Sequence, residues 1–313
     1  MYRGLKIAVL VPCYNEEKLA AKTIRTVPDF VDRIIAINDG STDNTLGVLR
    51  DLEKKNKRLD VLVNGINEGL GKSMLNAFEY LKDSDIDAMS IMAGDAQMDP
   101  QYLPKLLDAL IDDNVDVVKA NRFSQFHSVE SMPRHRIIGN IVVSILTKFA
   151  TGYYKLFDSL NGYVVYRKDI IDRIPKDIIG HRYEYENTIL VALSIVGAKI
   201  HDVPVPAVYG DESSTINLFG TTLRTLRTLN KGFWKRIYYK YVLYSFHPIA
   251  LFLFSGLFAT LIGTLWAIFV LYEKIFNGLS PTTGTVMLVV LPLIVGFQLL
   301  LTAIIMDVNY ENE

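Results

Sequence analysis

Apolar residues occur as short unbroken runs in the first two thirds of the chain and as two long runs at its end. Lys6–Val11, Arg33–Asn38, Asp60–Asn64 and Ala88–Met92 are brief β-branched or apolar stretches, each followed by Asn, Asp or Gly, which is the pattern of strands buried on both faces. Between them Glu16–Thr26, Thr42–Lys55 and Gly71–Leu81 carry apolar residues at helical spacing. Strand alternating with helix predicts an α/β fold with a mainly parallel sheet. Ligands of such sheets bind outside the carboxyl ends of the strands. The polar sets "PCYNEE", "NDGSTD", "NEGLGKS" and "GDAQMDP" all fall there, so residues distant in sequence are expected around one crevice. From Asp116 onward "DVVKANR" reads as another strand, "GNIVVSILTKFATG" as a helix with an apolar face and "LNGYVVYRKDII" as a strand entering a helix, a second half suited to an acceptor.

Leu218 to Tyr244 then mixes Leu, Phe, Trp and Tyr with Arg224, Arg227, Lys231, Lys235, Arg236 and Lys240, the composition of a helix lying on an anionic membrane surface. Phe246–Leu271 and Thr285–Met306 follow without a charged residue, and each is long enough to cross a bilayer, which takes about 20 apolar residues. The chain is therefore expected to divide into a catalytic domain at 1–216, basic juxtamembrane helices at 217–245, and a transmembrane hairpin with a short tail at 246–313. The basic stretch before the first span predicts an integral membrane protein whose catalytic domain faces the cytoplasm.

Composition adds three restrictions. With 33 Lys and Arg against 34 Asp and Glu, the net charge of -1 gives no global reason to expect nucleic-acid binding. The single cysteine, Cys13, rules out an intramolecular disulfide and fits a reducing compartment. The first apolar run, in "MYRGLKIAVLVP", is too short for a signal-peptide core with its cleavage site and reads as the first strand.

Several chemistries lack their residues. "GLGKS" resembles the end of a P-loop, but the glycine required five positions before Gly71 is Ile66. No strand end carries GxGxxG, and none of the five histidines has zinc-motif spacing. A nucleoside diphosphate can instead be held by a hard divalent cation, which takes one or two carboxylates plus the phosphates themselves. Asp95 and Gln97 supply oxygens of that kind, while Asp99 and Pro100 suit a helix cap and first-turn proline.

Taken in order, "VPCYNEE", "NDGSTD", "NEGLGKSMLNAF" and "GDAQMDP" resemble the family 2 glycosyltransferases with the GT-A fold, and more closely their polyprenyl-phosphate, dolichyl-phosphate mannose synthase-like branch. The resemblance covers roughly Lys6 to Ser214, and paired C-terminal membrane helices recur in that branch. It implies that Pro12, Tyr14, Glu16 and Asp39 contact the nucleoside, with Lys72 nearby, and that Asp95 and Gln97 contact the diphosphate and a Mg2+ or Mn2+ ion. It also implies that Arg122 and Arg136 hold an acceptor phosphate, which suits the guanidinium fork. Asp158 would be a base or an orienting group. The implied reaction moves a sugar from a nucleotide-diphospho-sugar donor to a polyprenyl-phosphate acceptor in the membrane, with inversion to a β-linked product. One departure stands out: where the family's metal motif usually has an aspartate, this chain has Ala93. The rival readings are a glycosyltransferase acting on another lipid hydroxyl, and a catalytically inactive membrane-anchored nucleotide-sugar binder. A processive polysaccharide synthase lacks its QxxRW motif here.

Overall fold

A computed structural model describes residues 1–122, 134–182, 184–206 and 218–310, the side chains of 134–142 and 218–223 excepted. Among these residues the strands are β1 (Ile7–Cys13), β2 (Arg33–Asp39), β3 (Leu59–Asn64), β4 (Ala88–Ile91), β5 (Val117–Asn121), β6 (Val164–Arg167) and β7 (Ile200–Pro204). They make one seven-stranded sheet in the order β3-β2-β1-β4-β6-β5-β7. Every adjacent pair is parallel except the two that involve β6. Central β1 and β4 show no polar alternation because both their faces are covered, and Ile7 to Val11 are wholly out of water. Edge strand β3 alternates instead, with Leu59 and Val61 buried around the half-buried Asp60.

Helices α1 (Ala20–Thr26), α2 (Thr45–Glu53), α3 (Leu70–Tyr80) and α4 (Leu103–Asp112) connect the first five strands. In α4 the buried Leu103, Leu106, Leu107 and Leu110 repeat at helical spacing and pack into the core below the sheet. Each such leucine contributes about 1.5–3 kcal/mol of burial. Helices α1 and α2 start later than their apolar periodicity predicts, at Ala20 rather than Glu16 and at Thr45 rather than Thr42. The reason is local: the Glu16 and Glu17 amides are taken by Thr45 Oγ1 (2.8 Å) and Asp43 Oδ2 (3.2 Å), and the Thr42 amide by Asn15 Oδ1 (2.8 Å). Residues that look like first helical turns are thus spent on locking two strand-end loops together.

The sheet order reverses at β1: β2 and β3 lie on one side of it and β4 on the other. The carboxyl ends of β1 and β4 therefore flank the crevice where ligands bind in open parallel sheets. The antiparallel β6 enters from the opposite direction, with Val164 paired to both Ile91 and Lys119. Its preceding turn, Asp158 to Tyr163, is thereby delivered to the carboxyl ends of β4 and β5. Behind it stand α5 (Arg134–Thr151), α6 (Lys168–Arg173), α7 (Tyr185–Ile195) and α8 (Leu218–Arg236). Helix α7 is buried nearly all round because α3, α5 and α8 all pack on it.

Contacts divide the chain into two compact units, Met1–Arg236 and Ile237–Glu313. The second contains a π-helical segment, Ile237–Tyr244, followed by α9 (Pro248–Phe276) and α10 (Thr283–Tyr310). Both long helices are apolar enough to cross a membrane, with mean hydropathy 2.0 and 2.6. Large side chains such as Leu251, Phe258, Ile294 and Phe297 lie on their outer faces, more than half exposed, an arrangement that suits lipid rather than water. The helices pair through small residues: a Cβ on Gly296 would lie 2.3 Å from Thr260 Oγ1 and 3.0 Å from the Gly256 carbonyl. Helix α9 runs beyond the apolar stretch that ends at Leu271, through Glu273 and Lys274, and ends at Phe276.

Among the described glycines of the first unit, Gly71 of α3 leaves the least room for a Cβ beside neighbouring backbone. A Cβ on Gly71 would lie 1.9 Å from the Gly180 carbonyl oxygen, so Gly71→Ala must push α3 away from the 179–182 segment. The expected cost is about 1–3 kcal/mol, read as a thermal midpoint several degrees lower in circular dichroism of the solubilised protein. Gly65→Ala, where the space is open, should leave the midpoint unchanged.

Candidate functional site

The loop after β1 and the loop after β2 form one rigid rim. Asn15 takes a left-handed conformation (φ 57°), which turns its side chain amide oxygen onto the Thr42 amide (2.8 Å) and hydroxyl (3.2 Å). Asp43 accepts from the Thr45 amide (3.0 Å) and hydroxyl (2.5 Å). Burial opposes its charge, but the Thr45 hydroxyl and surrounding amides outweigh that and hold its pKa below the usual carboxylate range. Of the predicted nucleoside contacts, Tyr14 is 45 % exposed on this rim, Pro12 and Glu16 are half-buried, and the Pro12 carbonyl accepts from the Gly94 amide (3.0 Å).

Asp39 has a task that the sequence did not reveal. It is buried, and its carboxylate accepts from Asn64 Nδ2 (2.8 Å), the Glu68 amide (3.1 Å) and the Gly69 amide (2.8 Å). It therefore organises the loop between β3 and α3, where Gly69 sits at φ 95°. Asn64 continues the network by donating to Ser73 Oγ (3.0 Å) and accepting from Asn76 (2.9 Å). Lys72 lies in the first turn of α3, half-buried, with its amide bonded to the His181 carbonyl (3.1 Å).

Beyond β4 the chain folds into an Asx turn: Asp95 Oδ1 accepts from the Gln97 amide (3.0 Å), with Ala96 at φ 55° between them. Asp99 caps a short 3₁₀ turn, Pro100–Tyr102, by accepting from the Gln101 amide (2.9 Å), as its position beside a proline predicts. Asp95 and Gln97 share a cavity of about 120 Å³ with Arg122, Asn161 and Gly162, so the predicted cation ligands and one predicted phosphate ligand meet there. Pro12, Tyr14, Glu16, Asp39 and Lys72 are not in its walls; the first four occupy the ends of β1 and β2 or the loop beyond β1, and Lys72 the first turn of α3.

Arg122 and Asp158, 36 residues apart, form the best-defined pair in the site. Asp158 is 1 % exposed and accepts from Arg122 Nε (2.8 Å), Nη2 (3.0 Å) and backbone amide (3.1 Å), and from Asn161 Nδ2 (3.3 Å). The guanidinium is held in a bidentate fork while more than a third of it stays accessible. Arg136 lies in the first turn of α5, and its side chain falls outside the described residues.

A second ion pair lies beneath this one and escaped the sequence reading. Lys119, 1 % exposed in the middle of β5, donates to the Asn161 carbonyl (2.7 Å) and faces Glu186 Oε2 of α7 at 3.5 Å. Burial raises the Glu186 pKa, against the lowering effect of Lys119. The available signal was a lysine inside an otherwise apolar strand, "DVVKAN", which has to find an anion.

The donor set around Asp95 decides what cation the site suits. Among the described residues no three His, Cys, Asp or Glu side chains converge as a metal site, and Ala93 adds no oxygen. Asp99 also lines the cavity but is engaged by Gln101, and the remaining carboxylate and amide oxygen do not enclose an ion. They do fit magnesium or manganese that completes its shell with diphosphate oxygens and water.

The sequence profile of glycosyl transferase family 2 matches residues 8–174. Over 220 residues the chain is 24 % identical to UDP-N-acetylglucosamine–dolichyl-phosphate N-acetylglucosaminyltransferase of Methanococcus voltae, covering 66 % of this chain and 87 % of that protein. It is also 24 % identical over 211 residues to dolichol-phosphate mannosyltransferase of Pyrococcus furiosus, covering 66 % of this chain and 57 % of that protein. Among solved structures, glucosyl-3-phosphoglycerate synthase from Mycobacterium tuberculosis in complex with Mn2+, UDP and glucosyl-3-phosphoglycerate superposes with a TM-score of 0.56 at 18 % identity, over 73 % of this chain and 80 % of that one. The mixed seven-stranded sheet is thus of the GT-A type.

Cys13, at the end of β1, offers a direct probe of this rim. It is 1 % exposed, and burial, reinforced by the charges of Glu16, Asp95 and Asp43, pushes its thiol up to about 12. The folded protein should therefore resist iodoacetamide at pH 8.5 and react only after denaturation, measured by intact mass. The unfolded thiol ionises near 9 while the folded one keeps its proton to about 12, so this residue's contribution to stability falls as pH rises through that interval.

Proposed function

Because the chain belongs to glycosyl transferase family 2, we propose that it is an inverting transferase that moves a sugar from a nucleotide-diphospho-sugar to a membrane polyprenyl phosphate, giving a β-linked product. The observation that carries this reading is Arg122, clamped by buried Asp158 beside the cavity wall formed by Asp95 and Gln97. A guanidinium with fixed direction and an accessible face recognises a phosphate, and here it stands next to the oxygens suited to the donor's cation. The two relatives are named for transfer to dolichyl or dolichol phosphate, which supports the acceptor class. The two apolar C-terminal helices support a membrane location, and the basic stretch before them, Arg224 to Lys240, supports a cytoplasmic side for the catalytic unit.

A lipid monophosphate has a second pKa near 6, so at neutral pH its oxygen is already anionic and nucleophilic. Asp158 need not act as a base, and all its described bonds tie it to Arg122 and Asn161. Its role is to hold Arg122, which aligns the phosphate oxygen with the anomeric carbon opposite the departing nucleoside diphosphate. Arg136 joins Arg122 on the acceptor. Asp95 and Gln97 hold Mg2+ or Mn2+, which supplies charge stabilisation to the leaving diphosphate when bound. Pro12, Tyr14, Glu16 and Asp39 line the nucleoside side with Lys72, and Asp39 also fixes the 64–69 loop.

The test is to incubate membranes containing the protein with labelled GDP-mannose, UDP-glucose or UDP-N-acetylglucosamine, polyprenyl phosphate and divalent cation, and to identify the lipid product by mass spectrometry. One labelled, acid-labile phosphosugar lipid is expected; nucleotide-sugar binding with no labelled lipid would reject the assignment. Asp95→Asn should lower kcat by on the order of a hundredfold with folding intact. Asp158→Asn should cut transfer by roughly the same factor through a misplaced Arg122 while leaving nucleotide binding unchanged. Full activity of Asp158→Asn would remove that residue from the mechanism.

A further inference from the structure

The pair Lys119–Glu186 is difficult to explain as a stabilising feature. Burying two charges costs more than an apolar pair of the same volume, and such pairs can often be replaced by hydrophobic residues without loss of stability. Lys119 lies in the core of the sheet, where β6 and β7 flank it and Leu or Met would pack. Its ammonium instead reaches the Asn161 carbonyl (2.7 Å), and that residue is the hinge of the acceptor side. Asn161 Nδ2 bonds Asp158 (3.3 Å), and Asn161 Oδ1 accepts from the Tyr163 amide (3.0 Å), fixing the entry to β6. Next to it, Gly162 is confined from two sides: a Cβ there would lie 3.1 Å from Met98 Cε of the 95–99 turn and 3.5 Å from Glu186 Oε1. The buried pair therefore touches a turn that contacts both Met98 of the 95–99 turn and the clamp on Arg122.

We propose that Lys119 and Glu186 are positioning residues, which set the Asn161–Gly162 turn so that Asp158 aims Arg122 at an acceptor phosphate. This rests on the phosphate-acceptor reading above. Neither side chain is required to touch substrate: Glu186 fixes the Lys119 ammonium, Lys119 fixes the Asn161 carbonyl, and the turn passes the constraint to Asp158. One ion pair and one charge-assisted hydrogen bond hold the turn in place of a deformable apolar contact, at the expense of stability.

The experiment separates the two roles with full-length protein in detergent, using farnesyl phosphate as a water-soluble acceptor probe and UDP and GDP as donor-side probes, all by calorimetric titration. Lys119→Met alone leaves Glu186 buried without its partner and should lower the thermal midpoint. Adding Glu186→Gln should restore the midpoint. In the restored double variant farnesyl phosphate should bind on the order of tenfold more weakly, with the affinity for whichever nucleotide binds the wild type unchanged. If the double variant regains both the midpoint and wild-type farnesyl phosphate affinity, the pair is structural and the proposal is overturned. Equal weakening of nucleotide and farnesyl phosphate would overturn it as well, since the effect would not be confined to the acceptor side. A wild-type protein that binds the nucleotide but no farnesyl phosphate would overturn the acceptor reading itself, and this inference with it.

Discussion

A carboxylate removed almost wholly from water must be met by donors on nearly all sides, and the acceptor half of this fold is arranged around that requirement at Asp158. Its partners come from the end of β5 and from its own turn, so the carboxylate ties a parallel strand to the entrance of the only antiparallel strand among those described. Reversal of β6 is what makes the tie reachable: a parallel strand in that place would have put its leading turn at the opposite edge of the sheet. The demand of one buried charge thus links sheet topology, turn geometry and the direction of Arg122.

The same logic, with neutral partners, governs the opposite side. Parallel strands end with free backbone groups, and the loops beyond β1, β2 and β3 satisfy one another through Asn15, Asp43, Thr45, Asp39 and Asn64. A surface made of short, mutually bonded loops loses little conformational entropy when a ligand settles on it, because most of that entropy has already been given up in folding.

The architecture was legible because it rests on period and punctuation. Two-sided burial makes β1, β2 and β4 plain apolar runs, and polar residues mark where each one ends. Helix starts were less legible, since Glu16 and Thr42 have helical neighbours but their amides are claimed by residues on another loop. Side-chain purpose was the least legible of all. Asp39 reads as a ligand contact, and its further part in organising a loop shows only in the fold, while Lys119 and Glu186, separated by 67 residues, acquire meaning only when β5 and α7 are packed together. Sequence patterns report burial and turns, which are local; the partner of a buried charge is decided by tertiary contact.

The burial of Cys13 has a practical meaning for studying this protein in its bilayer. As the chain's sole cysteine is sealed under the 94–95 turn, where Gly94 leaves no room even for a methyl group beside its sulfur, the native molecule is expected to be silent toward thiol reagents. A cysteine introduced at exposed Trp234 or Tyr238 would then carry the only reactive thiol, and a nitroxide attached there could report immersion depth by its collision rates with oxygen and with a water-soluble relaxant. The wild-type sequence is already a background for site-directed spin labelling, with no native residue to be removed first.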